Sequence, residues 1–222
     1  MRRFVRDNGL SLALLTLFVL TTVGTGAAGL AKYNDDRRAW AKPPLTFGQY
    51  LSSAHFWEAM AENWESEFLQ MGAYVLLTIG LYQRGAAESK DPDAPSAVDQ
   101  AGDPGCCAPD APWPVRRGGV LLILYENSLS LALFVLFALS ITIHAVAGAA
   151  KRNEVEAVRG KPAVSPLEYL WTDDFWFESL QNWQSEFLSI GLLVLLSIWL
   201  RQRGSTQSKP VDFPHHRTGT PG

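Results

Sequence analysis

Asn8-Gly-Leu-Ser-Leu-Ala-Leu14 returns as Asn127-Ser-Leu-Ser-Leu-Ala-Leu133, 119 positions further on. At the same offset Asn63-Trp-Glu-Ser-Glu-Phe-Leu69 returns as Asn182-Trp-Gln-Ser-Glu-Phe-Leu188. Lys32, Pro43, Tyr50, Phe56-Trp57 and Arg84 likewise return as Lys151, Pro162, Tyr169, Phe175-Trp176 and Arg203, without a gap. Self-similarity of this kind is read as one supersecondary unit used twice.

The apolar residues collect in four blocks, 9–31, 68–82, 128–150 and 187–200. The first and third contain no Asp, Glu, Lys or Arg and are long enough for a bilayer core of about 30 Å. Trp and Phe cluster near the block ends, as an aromatic belt requires. Met1-Arg-Arg-Phe-Val-Arg6 ahead of the first block imitates a secretory signal. The mid-chain copy of that block argues for a retained helix. The formal net charge of −3 and the lack of a basic stripe speak against nucleic acid as a partner.

The expected fold is all-α and membrane-integral, with four transmembrane helices in two parallel two-helix repeats. Repeat 1 covers 1–85, with helices at about 9–31 and 63–83 and an amphipathic segment at 54–67. Repeat 2 covers 118–204, with helices at about 128–150 and 182–201. Between them 86–117, rich in Asp, Pro, Ala and Gly, reads as a flexible cytoplasmic linker, and 205–222 as a disordered tail. Trp57, Met60, Trp64, Phe68 and Met71 share one helical face, with Glu58, Glu62 and Glu65 away from it. Either one long helix enters the bilayer from its surface, or a surface helix kinks before the span. Arg2, Arg3, Arg6, Arg84, Arg116, Arg117, Arg201 and Arg203 flank helix ends on one side, which places both termini in the cytoplasm.

The second and fourth blocks are too short to cross unaided. Fifteen residues span about 22 Å, so crossing draws Asn63–Glu67 and Asn182–Glu186 into the bilayer. The candidate intramembrane cluster is therefore Lys32, Asn63, Ser66 and Glu67, with Lys151, Asn182, Ser185 and Glu186. Lys32 and Lys151 leave the bilayer on the side of these carboxylates and are their expected ion-pair partners. Gly29 and Gly72, with Gly148 and Gly191, are expected to let the helix backbones approach. The cluster reads as interhelical glue or as an ion or proton path.

Other candidates are weaker. Adjacent Cys106-Cys107 reads as a reduced, exposed pair. A lone His144 is more often packed than ligating, and His215-His216 lack further ligands at metal spacing. No Ser-His-Asp grouping, HExxH, phosphate loop or dinucleotide fingerprint occurs. The expectation is thus a protein that is not an enzyme, with no cofactor, no metal site and no catalytic residues. The lipid bilayer is its one evident partner, and homo-oligomerisation is compatible with the sequence.

Arg6-Asp-Asn-Gly-Leu-Ser-Leu12, Phe56-Trp57, Asn63–Leu69 and Gln83-Arg-Gly85 with Glu88-Ser-Lys90 resemble a bacterial family of duplicated four-helix integral membrane proteins, a domain of unknown function. The resemblance implies bacterial origin and a cytoplasmic-membrane address, and it brings no activity or site residues. The second copy departs from the first at Gln184 for Glu65 and Ser128 for Gly9. Two function classes follow: a membrane scaffold or stress-associated protein, and a small channel or transporter.

Overall fold

The computed structural model describes residues 2–105 and 110–219, and Cys106-Cys107 lies outside them. Among the described residues the secondary structure is helical throughout. The α-helices are α1 (Arg2–Asp7), α2 (Gly9–Ala39), α3 (Phe47–Leu51), α4 (Ala54–Gly80), α5 (Trp113–Arg117), α6 (Gly119–Glu126), α7 (Ser128–Val158), α8 (Pro166–Tyr169) and α9 (Asp173–Trp199), with a 3-10 turn at Ala97–Asp99.

Two of these helices, α2 and α7, are long and apolar enough to cross a membrane, against the four expected. Helices α4 and α9 are 27 residues each, long enough in themselves. Glu58, Glu62, Glu65 and Glu67 in α4, and Asp173, Asp174, Glu178 and Glu186 in α9, make their first halves too polar. The expected boundaries also move. Lys32 and Lys151 do not end their helices, because no Gly or Pro follows until the turns at Lys42-Pro43 and Gly160-Lys161-Pro162.

Both long helices close alike. Lys42 N–H donates to Arg37 O at 2.8 Å and Ala41 N–H to Arg38 O at 3.0 Å. Lys161 N–H donates to Glu156 O at 3.1 Å and Gly160 N–H to Ala157 O at 3.2 Å. This is the Schellman closure, with its left-handed residue at Ala41 (φ 56°) and Gly160 (φ 69°). Each connection is then fastened by an asparagine. Asn34 donates to Leu45 O at 3.0 Å and accepts from Leu45 N–H at 2.7 Å; Asn153 does the same with Val164 at 2.8 Å in both directions. Capping boxes at Thr46/Gln49 and Ser165/Glu168 start α3 and α8. The Ser53 and Thr172 hydroxyls accept from Phe56 and Phe175 N–H, both at 3.3 Å, where α4 and α9 begin.

The chain divides into two units, Met1–Ala61 with Thr142–Trp176 and Glu62–Ile141 with Phe177–Gly222. The first unit contains both connections and the helix segments that flank them. The second contains the linker and the tail. After α4 and after α9 the chain makes the same turn: Gln83 N–H donates to Ser89 Oγ and Gln202 N–H to Ser208 Oγ, both at 2.9 Å. Gly85 and Gly204 both adopt φ 85°. Lys90 donates to Ile79 O and pairs with Asp99 at 2.6 Å. Lys209 is buried, donating to Gly85 O and to the carbonyls of His215 and Arg217 at 3.0 Å.

Candidate functional site

Each unit buries polar side chains: Glu58 and His144 in the first, and Glu65, Ser66, Gln70, Ser140, Ser179 and Lys209 in the second. The sequence puts Trp57, Met60, Trp64, Phe68 and Met71 on one helical face with Glu58, Glu62 and Glu65 away from it. In the structure Trp57 is 39% and Met71 47% exposed and Met60 is buried, while Glu58 is 2% and Glu65 0% exposed.

In the first unit, Lys151 donates to the Glu58 carboxylate at 2.6 Å. A Glu58 oxygen and a ring nitrogen of His144 lie within 4.8 Å of each other. His144 is completely buried, its ring 4.8 Å from Phe175 and edge-on to Tyr169. Tyr50 and Tyr169 fill the hollows left by Gly29 and Gly148; a Cβ would stand 2.9 Å from Tyr50 Cζ and 2.7 Å from Tyr169 Cζ. The glycines therefore admit tyrosine rings, where the sequence reading expected Gly29 and Gly148 to admit helix backbones.

Nearer the connections, the Tyr33 hydroxyl donates to Glu154, which also accepts from Arg37 at 3.1 Å and Lys42 at 3.0 Å. Burial works to raise the Glu154 pKa, but the hydrogen bonds from Tyr33 and Lys42 and the charges of Lys42 and Arg37 outweigh it and hold it below the ordinary carboxylate value. Burial, then the Glu154 contact, pushes the Tyr33 hydroxyl up to about 12. Tyr33 also stacks on His55 at 4.6 Å, and His55 Nδ1 shares a 3.0 Å hydrogen bond with Tyr50. The positions 119 further on, Arg152 and Asp174, form an ion pair at 2.7 Å instead.

In the second unit, Glu65 accepts a hydrogen bond from Trp183 Nε1 at 3.1 Å. Asn182 donates to Glu62 at 3.4 Å, and carboxylate oxygens of Glu62 and Glu178 come within 4.8 Å. Gly72 lies against Phe134 and Leu133, whereas nothing lies within 4 Å of where a Cβ would stand on Gly191.

The expected cluster is thus redistributed. The Lys32–Glu67 pair is not made: Lys32 and Glu67 are exposed, and the Lys32 charge acts on His55. Lys151 takes Glu58 as its partner. Asn63 is exposed, and the buried Ser66 hydroxyl donates back to Asn63 O at 2.7 Å. Ser185 is exposed and does the same with Asn182 O at 2.8 Å. Glu186 is half-buried and feels the charge of Glu67. Glu58, Glu62, Glu65, Glu154 and His144 were missed as site residues. The signal available for three of them was the i, i+4, i+7 spacing of Glu58, Glu62 and Glu65 on one face.

Chemically these groups can hold helices together and accept or release protons, and Glu58 with His144 offers one oxygen and one nitrogen ligand. No curated protein and no solved structure matches the chain. One family model does match, over residues 1–220, that of the domain of unknown function DUF6766. The chain therefore belongs to the DUF6766 family.

Proposed function

We propose that the chain is a multi-pass integral membrane protein in which α2, α4, α7 and α9 all cross the bilayer as two parallel copies of one unit. We read its role as that of a non-enzymatic scaffold of the bacterial cytoplasmic membrane, with both termini cytoplasmic. One observation carries this reading, the inverted distribution of polarity. Leu10, Leu17 and Leu129 stand outward, as do Leu192, Leu193, Leu195 and Leu196 of α9, while Glu58, Glu65, Ser66, Ser140, His144 and Ser179 are buried. A soluble protein does not expose contiguous apolar faces on this scale.

A role in assembly rather than conduction is supported by the hydroxyls along α4 and α9. Thr78 donates back to Val75 O at 2.9 Å, and Ser197 to Val194 O at 2.8 Å. Two measurements test the proposal. Reporter fusions at Arg6, Asp99 and Thr218 should report cytoplasm, and fusions at Pro43 and Pro162 the outside; Asp99 and Thr218 on opposite sides would refute the parallel copies. Liposomes containing the folded protein should show no proton or cation flux above empty vesicles. Flux that Glu65→Gln abolishes would establish the channel reading instead.

A further inference from the structure

We propose that Glu58 and His144 form a binding site for a divalent transition-metal ion. Both side chains are more than nine-tenths buried. Their ligand atoms lie within 4.8 Å of each other. Imidazole nitrogen with carboxylate oxygen is the donor mixture that suits zinc and its first-row neighbours, at about 2.0–2.2 Å from each donor. A shared ion at that distance from each donor sets the two atoms roughly 3–4 Å apart, inside the 4.8 Å that bounds their separation here. Phe175 and Tyr169 fix the plane of the imidazole.

The repeated sequence supports a role beyond packing. Around this pair the two copies keep the same residues: Gly29 and Gly148, Tyr50 and Tyr169, Phe56 and Phe175. The positions matching Glu58 and His144 hold Phe177 and Thr25, neither of which is a good metal ligand. The duplicated framework is built once without this donor pair. Lys151 supplies the positive charge on Glu58 and would have to withdraw as the ion enters. Its side chain is about one-third exposed, which gives the ammonium a route to water.

The test uses the full chain in detergent, without a histidine tag and with His215 and His216 replaced by Ser, and titrates it with Co²⁺. The expected result is one equivalent bound, with visible d–d absorption. Affinity should fall about tenfold or more in Glu58→Gln and in His144→Leu. Lys151→Met should bind more tightly than the parent, because it removes the competing cation. A purely structural Glu58–Lys151 pair makes the opposite demand: Lys151→Met lowers thermal stability and binds no cobalt. Absence of stoichiometric binding in the parent overturns the proposal, as does unchanged affinity in Glu58→Gln. Should His144→Leu fail to fold, Glu58→Gln and Lys151→Met decide the matter between them.

Discussion

Replacing Gly29 by Ala puts a methyl group where the Tyr50 ring already stands. A Cβ on Gly29 would overlap the Tyr50 hydroxyl and approach Cζ to 2.9 Å. The ring cannot easily retreat: Tyr50 is 1% exposed, is hydrogen-bonded to His55 at 3.0 Å, and has Phe56 at 5.8 Å. Gly24, on the same helix α2, has nothing within 4 Å of the same imagined atom. Both substitutions carry the same helix-propensity gain of roughly 1 kcal/mol, so their difference isolates the clash. Overpacking of a tight site costs about 1–3 kcal/mol. Gly29→Ala should therefore be less stable than Gly24→Ala by about that amount. Combining Gly29→Ala with Tyr50→Phe, which deletes the nearest atom and leaves the ring carbon close, should recover part of the loss. The assay is thermal or denaturant unfolding in one detergent. Equal stability of Gly29→Ala and Gly24→Ala would refute the packing argument.

Ala41 holds the left-handed position that Gly160 holds in the other copy. Ala41→Gly should accordingly raise stability by about 1 kcal/mol and Gly160→Ala lower it, measured by the same unfolding. The Tyr33–Glu154 contact makes stability depend on pH at both extremes. Glu154, with its pKa depressed, contributes stability above the ordinary carboxylate range that is lost as pH falls through its lowered value. Tyr33, pushed up to about 12, contributes stability below pH 10 that is lost as pH rises toward 12. Unfolding followed against pH should lose the alkaline step in Tyr33→Phe. Tyr33→Arg and His55→Asp should each destabilise, and together should recover most of the loss by recreating the Arg152–Asp174 pair; additive losses would count against positional equivalence. Trp183→Phe removes the indole donor of a buried carboxylate and should cost about 1.5–3 kcal/mol, with Glu65→Gln softening that effect in the double variant.

The helical class was legible because four apolar blocks at helical length dominate the chain. The boundaries were less so. Tyr33 to Ala39 is polar but contains no breaker, so α2 continues where apolarity had stopped. The direction of α4 was not legible either: an amphipathic pattern separates Trp57 and Met71 from Glu58 and Glu65 but does not say which solvent surrounds it, and so not which face is buried. Pairings across sequence distance, such as Tyr33 with Glu154 or Trp183 with Glu65, leave no local trace at all. Asn34 and Asn153 could have been read. A polar residue kept at matching positions just before Pro-containing connections is a fastening, and each proves to bond a residue 11 positions on.

Lys209 gives the far end of the polypeptide a mechanical part. By seizing the carbonyl of Gly85 together with those of His215 and Arg217, it ties the last described residues to the place where the chain leaves α4. Tail and linker then open as one piece, so a protease cut or a bulky fusion near residue 210 should be felt around residue 85. Reporters and purification handles added behind the tail load that clasp directly, and a handle inserted near Asp99 is the gentler choice.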